Sequence, residues 1–332
     1  MHTKLKILFP DWKNFGVEDI KEAFEKMGHE VIIYKTEPKN YRIDPRFKSE
    51  LKKYIRSNGI TLMFTSNYFP VVADACHEVN IPYISWCYDS PLVLTFSKTV
   101  FYPTNFIFIF DSKMVADLQN LGVKQVFYMP MAVNPDRLNK LHTTSEQRKL
   151  IDADISFVGS LYSEKHTLYD RMTDLDDYTK GYIDGVMKAQ EQLYGVSIVE
   201  DALTPEIIDA MYQKMPINIH EDDLETKSYV YANYFINRKI TQTERPILLK
   251  EISEALPQME AQVGRKLKPL KLYTHNPTPF LPKVENMGTI HYMKEMPLVF
   301  RHSKINLNIT LRSIINGIPL RAIDIMGAGG FL

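Results

Sequence analysis

The chain has 332 residues, 45% of them apolar and 11% aromatic, enough to fill the cores of two ordinary domains. Forty basic residues offset forty acidic ones, so net charge gives neither nucleic acid nor a membrane surface an electrostatic attraction to the protein. The opening "MHTKLKILFPDW" holds an apolar run too short for a signal peptide, and no stretch approaches the ~20 apolar residues of a membrane span. A cytoplasmic location is expected, with Cys76 and Cys87 as reduced core thiols in apolar helix and strand surroundings.

In chain order, short apolar runs recur at "LKILFP" (5–10), "EVIIY" near 31, "ITLMFTS" near 61, "YISWCYD" near 84, "FIFIFD" near 106 and "QVFYMPM" near 126. Segments of helical period separate most of them. The clearest is "GVEDIKEAFEKMGHE", with Val17, Ile20, Phe24 and Met27 on one face and Gly28 at its stop. Near-continuous apolar strands separated by helices predict a parallel sheet covered on both faces, so residues 1–135 are expected to form one Rossmann-like domain.

A polar linker is expected over 136–153. A second opening strand follows in "DISFVGSLYSEKH" (154–166), whose apolar run ends at Gly159, as a strand does when it delivers the chain to a ligand loop. Residues 167–262 read as a helical, rather acidic insertion. Strands are expected again at "LKLYTH" near 270, "GTIHYM" near 289 and "KINLNIT" near 304, making 154–332 a second α/β domain. The end, "GIPLRAIDIMGAGGFL", reads as a helix opened by Pro319 and stopped by Gly327, Gly329 and Gly330, then an apolar strand "GFL". A central strand should not close a domain, so this domain is expected to be cut short at its C-terminal end.

The familiar phosphate-loop, dinucleotide, zinc-hydrolase and nucleophile-elbow motifs are absent. Two tandem α/β domains leave an interdomain cleft as the expected ligand site. The terminal helix offers a positive N-terminus, Arg321 as a cation for phosphate and Asp324 as an acceptor for ribose hydroxyls. The same pattern is met by an acid that complements the helix dipole and a solvated arginine.

"FVGSLYSEK", "KINLNIT" and "NGIPLRAIDIMGAGGFL" together resemble the donor half of GT-B glycosyltransferases, in particular the CgeB-like spore maturation branch. "FPDWKNFGVEDIKEAFEKMGHEV" and "IPYISWCYDSP" resemble the N-terminal domain that accompanies it. The resemblance covers nearly the whole chain apart from the helical insertion. It implies a fold of two Rossmann-like domains, an acceptor-side one over 1–135 and a donor-binding one over 154–332. It also implies transfer of a sugar, with retention of configuration, from a nucleotide-diphosphate sugar, UDP foremost, to an acceptor hydroxyl. In this family the terminal helix carries the second acid of an E-x7-E pattern. The matching positions here are Asn316, a departure, and Asp324, which the resemblance places at the donor ribose.

The resemblance further implies that Gly159, Ser160 and Lys165 approach the diphosphate and sugar. Lys165 would offset phosphate charge without a metal, there being no DxD motif in a suitable loop; a solvated lysine fits the turn equally. His275 and Asn276 approach the donor or make a plain turn before Pro277. Tyr292 and Met293 meet the base or fill the core. On the acceptor side the strand ends carry Asp11 and Trp12, Asn67 and Tyr68, and Tyr88, Asp89 and Ser90. Asp89, then Asp11, is the candidate acid–base group, with a turn or cap role for Asp89 as the alternative. A non-catalytic sugar-nucleotide or glycan-binding protein and a GT-B sugar-nucleotide epimerase are the competing readings; no cofactor, nucleic-acid partner or membrane span is expected.

Overall fold

A computed structural model of the chain describes residues 4–12, 16–163, 168–220 and 223–332. It divides into two compact units. The first comprises Met1–Met131 with two later pieces, Asn218–Lys227 and Asn316–Ile318; the second comprises Ala132–Ile217, Ser228–Ile315 and Pro319–Leu332. Both units are α/β with wholly parallel sheets, the Rossmann-like architecture expected from the sequence.

In the first unit, six strands, β1 (Lys6–Pro10), β2 (Glu30–Tyr34), β3 (Leu62–Ser66), β4 (Tyr83–Cys87), β5 (Asn105–Ile109) and β6 (Val126–Tyr128), run in the order β2-β1-β3-β4-β5-β6. Helices α2 (Pro45–Ser57), α3 (Pro70–Val79) and α4 (Ser112–Asn120) cover one face, burying Leu51, Val72, Cys76, Ile107 and Leu118. Helix α1 (Val17–Lys26) covers the other through Val17, Ile20 and Phe24 against Phe9 and Phe64. Met27, expected on that buried face, lies at the C-cap and is exposed, because Gly28 at φ 89° turns the chain away one residue later. Cap chemistry sets the starts: Asp44 accepts from Phe47 N–H with Pro45 at the first position, and Asp111 accepts from Lys113 N–H. Cys76 and Cys87 are buried free thiols.

In the second unit, β7 (Ala153–Val158), β8 (Leu270–Tyr273), β9 (Val284–Asn286) and β10 (Ser303–Leu307) run in the order β10-β7-β8-β9. Short helices α5 (Pro135–Asn139) and α6 (Ser145–Ile151) precede β7, the latter opened by a Thr144–Gln147 capping box. The helical insertion holds α7 (Asp177–Glu191), α8 (Val199–Ala202) and α9 (Pro205–Lys214), around their own core of Ile183, Ile207, Met211 and Phe235. A continuous helical run follows: α10 (Lys227–Val230), a π-helical turn at Tyr231–Ile236 and α11 (Asn237–Val263). α11 covers one face of the sheet with Leu249 and Leu256; α12 (Met296–His302) and α13 (Leu320–Gly327) cover the other. No helix among the described residues is long and apolar enough to cross a membrane.

Two expected strands differ. The strand near 289 is displaced to Val284–Asn286: Gly288 at φ 75° ends it, and Ile290 and Tyr292 pack onto the core from a loop. Phe331 and Leu332 form no strand, although the Asn306 N–H donates to the Phe331 carbonyl at 2.9 Å. The terminal glycines also do more than turn the chain. A Cβ on Gly327 would lie 2.4 Å from Val133 Cγ2, and one on Gly330 would lie 2.7 Å from the Phe300 carbonyl oxygen, so both allow close approach.

Candidate functional site

In a doubly wound sheet, ligands collect at the C-terminal strand ends where strand order reverses. The first unit reverses between β1 and β3, and Asp11 and Asn67 follow those strands. Asp11 is exposed there, with its N–H donated to the Tyr34 carbonyl. Asn67 is buried, in the left-handed region at φ 72°, and its side chain organises the next strand end. Its Nδ2 donates to Asp89 Oδ2 at 2.7 Å, while its Oδ1 accepts from the N–H groups of Tyr88 and Asp89 at 3.0 and 3.2 Å. The Asp89 carboxylate is thus oriented at an exposed position. Burial, then the neighbouring Asp89, raises the Tyr88 phenol to about 12.

Truncating Asn67 to alanine removes all three bonds and leaves a β-carbon in a strained backbone region. The expected cost is about 2–3 kcal/mol in denaturant unfolding, and a loss under ~0.5 kcal/mol would show that the Asp89 loop holds itself.

Two further strand-end residues read as polar candidates belong to the core. Trp12 packs on Phe47 and Phe69 and donates to the Thr36 carbonyl; Tyr68 is fully buried with its hydroxyl 2.8 Å from Thr99 Oγ1. Ser90, joined to Pro91 by a cis peptide, donates to Asp111 Oδ2 at 3.0 Å. Asp111 itself was not singled out by the sequence. It is buried after β5 and accepts from the main-chain N–H of Asn316 at 3.1 Å. Asn316 therefore stands in a loop of the first unit, whereas Asp324, its partner in the eight-residue spacing, stands on α13 in the second.

The second unit reverses between β7 and β10. Gly159 and Ser160 follow β7, and Gly159 continues the ladder by donating to the Tyr273 carbonyl at 3.1 Å. Ser160 Oγ accepts from Tyr162 N–H at 2.8 Å. Lys165 lies outside the described residues. Asn276, after β8, donates to Ser163 Oγ at 2.9 Å, tying the β8 loop to the β7 loop; His275 beside it is exposed.

Arg245 on α11, like Asp111, does not stand out in the sequence. Its guanidinium donates to the Ser160 carbonyl, after β7, and to the Ile309 carbonyl, after β10, so one buried cation spans both walls of the reversal point. Tyr162 and Phe157 lie against it at 4.7 and 5.4 Å. Nothing in "TQTERPILLK" separates this arginine from a solvated one, because its partners are backbone carbonyls distant in sequence.

α13 is laid against the ends of the same sheet: Ile325 and Ala328 share a core cluster with Val158 and Tyr273, the last residues of β7 and β8. On this helix the Asp324 carboxylate is nearly buried. Tyr292 donates its hydroxyl to Oδ1 at 3.0 Å, and Arg321 Nη1 lies 3.2 Å from Oδ2. Burial outweighs both partners and raises the Asp324 carboxyl from its ordinary 3.8 to about 6. Tyr292 is pushed up by burial and by Asp324, and Arg321 is pushed down by burial. Arg321 is thus paired within the helix and packed on Phe300 and Met296 rather than extended as an isolated cation. Met293 contributes its carbonyl, which accepts from Arg137 at 3.1 Å.

Among the described residues, no group of three or more His, Cys, Asp or Glu side chains is placed to hold a metal ion.

No protein-family model and no curated protein matches the chain. Among solved structures, the chain is similar to a glycosyltransferase from Rickettsia africae, at 12% identity and TM-score 0.35, covering 99% of this chain and 93% of that one. It is similar also to a protein from Listeria monocytogenes assigned as a UDP-N-acetylglucosamine 2-epimerase, at 12% identity and TM-score 0.35, covering 98% and 94%.

Proposed function

We propose that this protein is a GT-B glycosyltransferase that takes a sugar from a nucleotide-diphosphate sugar, UDP-sugar foremost, and passes it to an acceptor hydroxyl. The observation that carries the reading is the buried Asp324 carboxylate, held by Tyr292 and Arg321 on a helix packed against the last residues of two parallel strands. A carboxylate fixed in this way accepts hydrogen bonds from vicinal ribose hydroxyls, and burial strengthens each of them. Gly159, without a side chain, lets the diphosphate approach the loop after β7, Ser160, His275 and Asn276 supply side-chain donors for it, and Lys165 belongs to the same stretch of sequence. Tyr292 and Met293 line the base side. The resemblance implies this donor-side role for each of them.

In the transfer the acceptor oxygen bonds to the anomeric carbon, the bond from that carbon to the phosphate oxygen breaks, and the nucleoside diphosphate leaves with the electron pair. Asp89, oriented by Asn67, takes the acceptor proton, with Asp11 as the second candidate. The diphosphate is stabilised by fixed donors and positive charge, with no metal ion in the proposed mechanism.

Asn316, standing where the resemblance puts an acid, favours one second reading: sugar-nucleotide binding without transfer.

Calorimetric titration with UDP, GDP and their sugar conjugates tests the proposal. Saturable binding to one base, unaltered by EDTA and weakened about 10- to 100-fold in Asp324→Ala, is the expected result. Release of nucleotide only when an acceptor is present separates transfer from binding alone. Absence of binding by every nucleotide overturns both readings.

A further inference from the structure

A cavity of about 290 Å³ lies within the second unit, where the loop after β10 meets the C-terminal end of α7 and the first part of α11. Its walls are mainly aliphatic: Leu193 and Val196 from the α7 end, Leu248 from α11, and Ile309, Leu311 and Ile315 from the β10 loop. Residues Tyr194, Gly195 and Val196 at its edge are exposed, so the cavity opens there to solvent.

The polar groups around it are already used by the protein. Arg312 donates to both carboxylate oxygens of Glu244, to the Leu193 carbonyl at 2.7 Å and to the Glu191 carbonyl at 3.2 Å. The ion pair is thus neutral within itself, and the Tyr194 ring lies 4.0 Å over the guanidinium. The Gln190 amide braces the edge in the same internal way, donating to Val196 and Leu193 carbonyls and accepting from Ile198 N–H. What remains for a guest is apolar wall and a single polar corner, where Asn308 Nδ2 and Thr310 Oγ1 meet at 3.2 Å.

We propose that this cavity is a binding site for an uncharged, mainly apolar ligand of one or two rings that bears a single hydroxyl or carbonyl. The volume matches the lower end of small-molecule sites, and the lining follows their usual pattern of apolar walls with one or two orienting polar groups. A charged guest would lose its hydration and meet no unused counter-charge, because Glu244 and Arg312 satisfy each other. The hydroxyl or carbonyl of the ligand is oriented by Asn308 and Thr310. The site is built from the helical insertion and the β10 loop, and it stands whether or not the protein transfers sugars.

The probe is 2-naphthol, followed by its own fluorescence and by equilibrium dialysis, with 2-naphthyl phosphate as the charged counterpart. Saturable binding of 2-naphthol with Kd below about 1 mM is expected, at least about tenfold tighter than the phosphate. Val196→Trp, at the exposed edge, and Leu248→Phe, inside, should each weaken 2-naphthol about tenfold or more. Both variants should keep the wild-type circular dichroism and cooperative unfolding; Val196→Trp changes an exposed side chain, so it serves if Leu248→Phe fails to fold. Absence of saturable binding, equal binding by the folded variants, or equal binding of the phosphate overturns the proposal.

Discussion

Replacing Arg42 by methionine is expected to cost about 3–5 kcal/mol of stability at pH 7, the penalty for leaving buried carboxylates without their cation. Arg42 forms ion pairs with Asp223 and Glu225, side chains only 8% and 2% exposed. It donates as well to the Val93 carbonyl. These acids belong to the ten-residue segment Asn218–Lys227, which interrupts the second unit's helical insertion and packs with the first unit. Leu224 anchors the same segment, donating its N–H to the Phe96 carbonyl and packing on the first unit's core. Burial pushes the Glu225 carboxyl up even with Arg42 present. A raised carboxyl favours the folded state more as pH falls, because the folded protein then holds the proton more tightly. The Arg42→Met deficit should therefore shrink as pH drops into the carboxylate range. Denaturant unfolding at pH 7 and pH 4.5 measures both effects. A loss below ~1 kcal/mol at pH 7 would mean that Leu224 and the bond from the Lys98 N–H to Asp223 hold the segment without Arg42.

Asp324→Asn should change the pH dependence of stability more than stability at any one pH. The Asp324 carboxyl titrates at about 6 in the folded protein and at 3.8 ordinarily. The folded state is thus favoured by protonation: its contribution is fully present below about pH 4 and is lost as pH rises through about 6. The shift corresponds to about 3 kcal/mol at most between those limits. Asparagine keeps the size and, through Oδ1, the bond from the Tyr292 hydroxyl, but it does not titrate. The variant should gain about 2–3 kcal/mol relative to wild type between pH 4 and pH 7, whatever constant offset arises from the altered Arg321 contact. A parallel pair of stability curves would show that Asp324 is no more desolvated than a surface acid. If the proposed donor site is correct, the same variant loses nucleotide affinity at pH 7 while being no less cooperative in unfolding.

The alternation of apolar runs and helical segments was enough to read two parallel sheets, because a strand such as Leu62–Ser66 is buried on both faces and opens on three consecutive apolar residues. Where local pattern misled, tertiary packing had decided. Thr289, Ile290 and Tyr292 have strand-like chemistry, yet Gly288 breaks the backbone, and Ile290 and Tyr292 pack onto the core from a loop while Thr289 is exposed. Trp12 and Tyr68 follow strands and carry polar atoms, but each spends its donor inside the fold. At the candidate site, Asp324 stood out as an acid on the terminal helix, and Tyr292 as a residue that meets the base by resemblance or fills the core. Their direct hydrogen bond, 32 positions apart, was not legible. Arg245 and Asp111 escaped notice for a related reason: Arg245 donates to main-chain carbonyls 64 and 85 positions away, and Asp111 accepts from a main-chain N–H 205 positions away, and main-chain groups leave no mark in a sequence.

Hydrogen–deuterium exchange of the protein with and without the nucleotide-diphosphate sugar it binds tests the donor-site assignment most directly. The account predicts slower exchange in three places: the loop Gly159–Ser163, the loop Thr274–Asn276 and the first turn of α13 around Arg321. Asp324→Ala should abolish that protection at the same ligand concentration. Protection confined to the first unit, or bound nucleotide that leaves those three segments unchanged, would contradict it.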